Sequence, residues 1–80
     1  MGKEELIARR IRYFCRLKKL TYCNLADRST VPLPTLKRIM SGATKNPGVV
    51  TIGKICMGLG ITIAEFFSSE EFKNIEFEVE

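Results

Sequence analysis

The chain has 80 residues and no histidine. Its three cysteines, Cys15, Cys23 and Cys56, are widely spaced and form no CxxC pair. Without histidine, zinc sites of the mixed Cys/His type are excluded. Each cysteine has apolar neighbours in a helical pattern, so we expect buried structural thiols rather than redox sensors or metal ligands. We therefore expect no metal and no cofactor.

The sequence is also poor in groups that could perform catalysis. It has no histidine base, no cysteine with a plausible base nearby, and no glycine-rich loop that could cradle a phosphate. An enzyme is therefore not expected. Eighty residues form one small domain, with little room for a large ligand pocket, so a small-molecule ligand is not expected either.

Long uncharged stretches are missing as well. The longest runs from Ile55 to Ala64, far short of the roughly 18 residues that a membrane-spanning helix needs. The opening Lys3, Glu4 and Glu5 lack the apolar core of a signal peptide. We therefore expect a cytoplasmic protein without membrane association.

Acidic residues are scarce through most of the chain. Residues 1–60 hold twelve Lys or Arg against three acids, a net +9, whereas residues 61–80 hold one lysine against six glutamates, a net −5. A basic body with an acidic end is the charge distribution expected of a protein that binds a phosphate backbone. Within that body, four basic residues lie at helical spacing, either on a solvated face or adding to a positive field: Arg9, Arg12, Arg16 and Lys19.

Hydrophobic spacing predicts five helices with short links, a compact all-α domain. The first helix spans about Lys3–Lys18. The second follows the N-cap Thr21 and covers Tyr22–Arg28; the third begins after Val31 and ends at Gly42. The fourth covers Val49–Leu59, and the fifth, Ile63–Phe67, starts with a capping box of Thr62 and Glu65. The predicted apolar core comprises Ile7, Ile11, Phe14, Cys15, Ile52, Ile55, Cys56 and Leu59.

The segment Tyr22–Ser41 carries the strongest functional pattern. Small inward faces occur on both sides of a tight connection, with Leu25 and Ala26 before it, Val31 after its corner, and Leu36, Ile39 and Met40 beyond. A small residue such as Ala26 allows two steeply crossing helices to approach closely. The pattern predicts a helix-turn-helix, the motif that offers its second helix to the DNA major groove.

The last residues, 68–80, predict an acidic tail. Ile75, Phe77 and Val79 alternate with glutamates, which is typical of a strand, yet Phe72, Ile75 and Val79 also fit one face of a short helix. An isolated strand is unstable alone. If the tail is extended, a second copy of it is the simplest partner, so the tail is a candidate dimerisation element.

The run from Ile11 to Phe67 resembles the DNA-binding domain of the lambda-repressor and Cro type, the xenobiotic-response-element family of regulators. The resemblance depends on LTxxxLAxxxxVxxxTLxRIxxG at Leu20–Gly42, KNP at Lys45–Pro47, TIxKICxGLGI at Thr51–Ile61 and EFF at Glu65–Phe67. It implies a lambda-repressor-like domain over residues 1–67 that binds double-stranded DNA as a homodimer. The implied function is that of a sequence-specific transcriptional regulator, a repressor, with its third helix in the major groove.

The resemblance also implies a set of DNA-contacting residues. Tyr22 stands where the family grips a phosphate, and Lys45 and Asn46 match phosphate-contacting positions in the loop after the third helix. The positions along the third helix that would face DNA are Pro32, Leu33, Thr35, Lys37, Arg38 and Ser41. Arg38 is the best candidate for a specific contact, because its guanidinium can span guanine O6 and N7.

The chain departs from the family pattern at two places. Thr30 occupies a corner position usually held by glycine, so the turn is either built differently or strained. Pro32, Leu33 and Pro34 replace the polar residues that usually read base edges. Leu33 has two open roles, contact with thymine methyl groups or packing.

These departures leave alternatives open. Lys37 and Arg38 could belong to a solvated face, and Ser41 could serve the helix end instead of DNA. The apolar start of the third helix also suits a protein-interaction module or an antitoxin-like partner that docks another protein.

Overall fold

Five helices form in the parts of the chain that this computed structural model describes, residues 3–43 and 47–68. They are α1 Lys3–Lys18, α2 Tyr22–Ser29, α3 Leu33–Ser41, α4 Val49–Leu59 and α5 Ile63–Phe66. The predicted all-α, five-helix fold is confirmed for these residues. Three bounds differ by one residue: α2 runs one residue longer than predicted, α3 begins at Leu33 with Pro32 as its N-cap, and α5 ends one residue sooner.

The helix ends follow the local sequence. The hydroxyl of Thr21 accepts the Asn24 N–H at 3.1 Å, and that of Thr62 accepts the Glu65 N–H at 3.0 Å. The Glu65 carboxylate accepts the Thr62 N–H in return at 3.1 Å, which completes the predicted capping box. Gly42 and Gly60 end α3 and α4 with positive φ angles of 81° and 74°.

The core lies between α1, α3 and the α2–α4 pair. α2 packs mainly against α4, and α1 packs mainly against α3. Every residue predicted for the core is buried, and Leu6, Ala8 and Phe66 are buried with them. Because Phe66 is fully buried, it anchors the short α5 to the rest of the domain.

The cysteine prediction is correct for two residues and wrong for the third. Cys15 and Cys56 are buried, whereas Cys23 is exposed. Cys23 precedes the inward Leu25 by two positions, and two residues turn a helix by about 200°, so its side chain points away from the core. Burial raises the pKa of the Cys15 and Cys56 thiols above the ordinary value.

Arg10 ties α1 to the end of α5, a contact that the sequence patterns did not predict. Its Nε donates to the carbonyl of Phe66 at 2.8 Å, and its Nη2 donates to the carbonyl of Glu65 at 2.9 Å. The guanidinium also lies 4.7 Å from the ring centroid of Phe14. A cation at a helix C-terminus is favourable, because the last carbonyls carry partial negative charge.

The tail from residue 69 onward lies outside the described residues. Its strand or helix, its role in dimerisation, and the domain boundary before residue 68 therefore stay predictions. No helix within the described part of the chain is both long and apolar enough to span a bilayer.

Candidate nucleic-acid interface

The corner between α2 and α3 is held by Ser29, which is buried. Its hydroxyl donates to the carbonyl of Ala26 at 3.3 Å and accepts the N–H of Val31 at 3.4 Å. Val31 is itself buried and fills the corner from inside. The serine therefore joins the end of α2 to the start of the following segment through one side chain.

Thr30 forms the turn in the left-handed conformation, with φ 58° and ψ 25°. Of the two possibilities considered for this position, the structure shows the glycine-like turn, built with a β-branched residue. Its hydroxyl donates to the carbonyl of Ser29 at 2.6 Å. This turn sets the direction in which α3 leaves α2.

α3 turns one face inward and the opposite face to solvent. Leu36 and Ile39 are almost fully buried. The exposed residues recur at spacings of three and four, and they form what we call the outward stripe: Pro34, Lys37, Arg38 and Ser41. The predicted outward orientation of Lys37, Arg38 and Ser41 is confirmed, and helical spacing from Lys37 would also have identified Pro34.

The first turn of α3 has few hydrogen-bond donors. Pro32 is the N-cap and makes no side-chain cap, and Pro34 lies in the first turn without an N–H. The Leu36 N–H donates to the Pro32 carbonyl at 3.0 Å. In this first turn, the backbone N–H groups of Leu33 and Thr35 have no acceptor within the helix. Neither proline can make the paired hydrogen bonds that distinguish bases.

Leu33 and Thr35 are half-buried. Leu33 packs against the hydrophobic core, so packing accounts for a large part of its side chain. It also lines a shallow groove with Thr30, Pro32 and Asp27. The first turn of α3 consequently offers less free apolar surface than its sequence implied.

The polar residues near the end of α3 differ in their contacts. The hydroxyl of Ser41 donates to the carbonyl of Arg38 at 3.1 Å, so it serves the helix end as well as facing outward. The side chains of Lys37 and Arg38 make no hydrogen bond or ion pair with any residue in 3–43 or 47–68. Two cations therefore project from the middle of the outward stripe.

Tyr22 begins α2, where it is half-buried and packs against the core. Thr21 satisfies the Asn24 amide, which leaves the amides of Tyr22 and Cys23 without acceptors inside the helix. Amide donors and the positive end of a helix dipole favour an anion such as phosphate. Lys45 and Asn46, the other predicted phosphate contacts, lie outside the described residues.

A groove of about 280 Å³ runs between α1 and the end of α3. Arg9 and Arg12 line it together with Met40, Ser41 and the acidic Glu5. Two of the four basic residues predicted at helical spacing thus lie beside the end of α3. The other two, Arg16 and Lys19, are exposed but do not line this groove.

Among the described carboxylates, only Glu5 lies near the outward stripe, at its Ser41 end, and none forms an ion pair with Lys37 or Arg38. Glu5 lies in the α1–α3 groove, Asp27 lines the groove at the corner, and Glu65 caps α5. The stripe is therefore positive, and it faces solvent.

Within residues 3–43 and 47–68, no three His, Cys, Asp or Glu residues form a group that could hold a metal ion.

Comparison with known protein families matches residues 10–71 to the Cro/C1-type HTH DNA-binding domain. No curated protein and no solved structure matches the chain significantly. The match contains all of α2, α3, α4 and α5. The chain thus belongs to the Cro/C1-type helix-turn-helix family, and at family level it is a DNA-binding transcription regulator.

Proposed function

We propose that the protein is a cytoplasmic, non-enzymatic transcriptional repressor that binds operator DNA as a homodimer and inserts α3 into the major groove. The observation that supports this most directly is the outward stripe. Lys37 and Arg38 are exposed on one face of α3, and the opposite face, with Leu36 and Ile39, is buried. The major groove of B-DNA is about 12 Å wide and admits one helix.

In this proposal, the residues in the middle of α3 recognise the bases. Arg38 has a planar fork that can donate to guanine O6 and N7 together, whereas Lys37 acts as a compact charge suited to phosphate or guanine. Pro32 supplies only an apolar surface, and Leu33 keeps a part-exposed edge for a thymine methyl group. Thr35 contributes a half-buried hydroxyl to the same surface. The proposed operator is read mainly through Arg38.

Phosphate contacts are proposed on both sides of α3. On one side stand the first-turn amides of α2 and the phenol of Tyr22; on the other stand Arg9 and Arg12, beside Ser41. Lys45 and Asn46 are proposed to extend the second set. Phosphate contacts fix the register of the protein on the duplex and leave sequence choice to the bases.

The proposed homodimer requires a self-complementary surface. α4 exposes Val49, Val50 and Met57 at 71%, 69% and 78% of their surfaces, and α5 exposes Ile63 at 44%. The two helices meet there, because a Cβ on Gly53 would lie 3.9 Å from Cδ1 of Ile63. We propose that a second copy covers this surface, the α4–α5 surface.

The dimensions of the domain agree with this arrangement. It measures 35 × 22 × 20 Å, and in a two-fold dimer equivalent points are separated by twice their distance from the symmetry axis. Recognition helices of a dimer must lie about 34 Å apart, one turn of B-DNA. Each α3 would therefore lie about 17 Å from the axis, which a domain of this size allows. The two-fold symmetry predicts a pseudo-palindromic operator.

DNA binding is tested by selecting sites from random duplexes and titrating the selected duplex at several salt concentrations. Several phosphate contacts per subunit give a steep fall of log K with log salt. A flat slope, or selection that yields no common sequence, would contradict the proposal. Repression is tested by placing the selected site over a promoter and measuring transcription with and without the protein.

The homodimer is tested by sedimentation of the full chain and of the double variant Val50→Glu, Met57→Glu. Both positions are exposed, so the variant should fold while charge repulsion separates the subunits. A matched variant, Arg28→Glu, changes an exposed residue of α2 that lies off the α4–α5 surface. A dimer that persists in the double variant would place the interface elsewhere.

The alternative function, docking of another protein on the apolar start of α3, has less support. It requires an exposed apolar side chain, and Leu33 is half-buried against the core. The apolar surface that this turn exposes is limited to the compact rings of Pro32 and Pro34 and an edge of Leu33. A charged, outward-facing middle of α3 suits a phosphate-lined groove better than an apolar partner.

A further inference from the structure

α1 carries an apolar stripe that the described helices leave uncovered. Tyr13 and Leu17 are 50% and 59% exposed, and their spacing of four places them on one face of the helix. Arg16 is exposed along one edge of this face, and Arg10 lies along the other. We call this surface the α1 stripe; it combines exposed apolar area with positive charge.

The chain leaves α5 at one end of the α1 stripe. Nη2 of Arg10 lies 3.3 Å from the hydroxyl oxygen of Ser68. The same guanidinium lies 5.0 Å from the ring centroid of Tyr13. Residue 69 therefore follows directly from a point beside the Tyr13 end of the stripe.

The residues that follow have the complementary chemistry. Residues 69–80 contain five glutamates and one lysine. Their four large apolar side chains are Phe72, Ile75, Phe77 and Val79. An apolar and acidic segment thus begins next to an apolar and basic surface. Burying such side chains against Tyr13 and Leu17 is favourable by the hydrophobic effect, and the charges on the edges attract.

We propose that residues 69–80 of the same chain dock on the α1 stripe, with apolar side chains over Tyr13 and Leu17 and glutamates beside Arg16. Residues 69–80 are long enough to reach Leu17 whether they are helical or extended. Leu17 lies seven residues beyond Arg10, about 10 Å along α1, whereas twelve residues span about 18 Å even as a helix.

Connectivity favours the chain's own tail over that of a second copy. A segment tethered at Ser68 has an effective concentration in the millimolar range near the stripe, for a short flexible connection. A tail from another molecule reaches such a concentration only if the two subunits are already held together. The dimer proposed above uses the α4–α5 surface, and the α1 stripe is separate from it.

Disulfide trapping in the full chain tests the proposal. In a Cys23→Ser background, which removes the exposed thiol, Leu17→Cys is paired with Val79→Cys and oxidised with diamide. The control pairs Val79→Cys with Arg28→Cys, an exposed position on α2. We expect the Leu17 pair to form a monomer-sized disulfide at least tenfold faster than the control. Equal rates would overturn the proposal, and so would a dimer-sized product from the Leu17 pair, which would assign the tail to a second copy.

Hydrogen exchange of the full chain gives an independent readout. Amides of residues 72–79 should be protected in the unmodified protein and lose protection in Tyr13→Ser, Leu17→Ser. The matched variant Asn24→Ser, Arg28→Ser changes two exposed residues of α2, also four positions apart, that lie off both the α1 stripe and the α4–α5 surface, and it should keep the protection. Amides of α3 report whether each variant is folded. Protection of the tail that survives the α1 changes would overturn the proposal.

Discussion

Ser29 of α2 lies directly against the backbone of Gly58 of α4. A Cβ built on Gly58 would stand 2.8 Å from the Cβ of Ser29 and 2.9 Å from its backbone nitrogen. Real Cβ atoms do not approach other atoms so closely, so the position requires glycine. Because Ser29 also holds the corner before α3, this contact fixes the helix-turn-helix on the rest of the domain.

Replacing Gly58 with alanine should therefore destabilise the fold. Overpacking in a well-packed core costs about 1–3 kcal/mol, and the higher helix propensity of alanine offsets about 1 kcal/mol of it. We expect a net loss of up to about 2 kcal/mol in the free energy of unfolding, measured by urea titration. DNA affinity should fall as well, because α2 must move away from α4.

Gly53 provides the matched control within the same helix. An added Cβ there would meet only Cδ1 of Ile63 at 3.9 Å, an ordinary contact. Gly53→Ala should raise the free energy of unfolding by about 0.5–1 kcal/mol through helix propensity alone. Equal effects of the two substitutions would contradict the close contact at Ser29.

Thr30→Gly should stabilise the protein. The left-handed conformation costs an L-residue about 1–2 kcal/mol, and glycine avoids this cost. Glycine also has greater freedom in the unfolded chain, which lowers the free energy of unfolding by about 0.5–1 kcal/mol. A net gain of about 0.5–1 kcal/mol is expected in urea titration. Lys19 also has a positive φ, 58°, but is not β-branched, so Lys19→Gly should gain less. A less stable Thr30→Gly protein would show that the turn is not strained.

Arg38 and Lys37 should give different DNA-binding phenotypes. Arg38→Ala is expected to reduce discrimination between the selected operator and a single-base variant by about tenfold to a hundredfold, because a bidentate base contact is lost. Lys37→Gln is expected to weaken binding to both duplexes alike and to reduce the salt slope by about one. Competition titrations at several salt concentrations measure both. Lys54→Gln, at an exposed position of α4, should change neither the discrimination between duplexes nor the salt slope. If it weakened binding as much as Lys37→Gln does, the effect of Lys37 would come from net charge alone.

Thiol reactivity should report the burial of the three cysteines. In the folded protein at pH 8, iodoacetamide should modify Cys23 alone, whereas Cys15 and Cys56 should react only after unfolding. Mass spectrometry of digested samples checks this. Modification of Cys56 in the folded protein at the rate seen for Cys23 would contradict the core packing.

The same two thiols give a pH dependence of stability. Burial raises the pKa of Cys15 and Cys56 above the ordinary value of 9.0, so the folded chain keeps thiol protons that the unfolded chain releases. Their contribution to stability is therefore complete below about pH 9 and is lost as pH rises through the higher folded values. Cys23→Ser should leave this alkaline loss unchanged, whereas Cys56→Ala should reduce it.

Local sequence was sufficient to predict the helices, because the determining interactions are local. The hydroxyl caps at Thr21 and Thr62 act over three residues, and hydrophobic spacing determines which face of each helix turns inward. The outward orientation of Lys37 and Arg38, which the family resemblance implied, agrees with the same spacing. Their roles on DNA stay predictions, since contacts with DNA depend on a partner.

Tertiary structure decided the features that depend on distant parts of the chain. Arg10 meets the end of α5 across 56 residues of sequence, and Ser29 meets Gly58 only after α2 packs on α4. Packing also covers part of Leu33. Sequence by itself thus determined the helices, their caps and their inward faces, because these depend on neighbours within a turn or two. The need for glycine at Gly58 and the exposure of the α1 stripe among the described helices were set by how the helices pack, which no local pattern encodes.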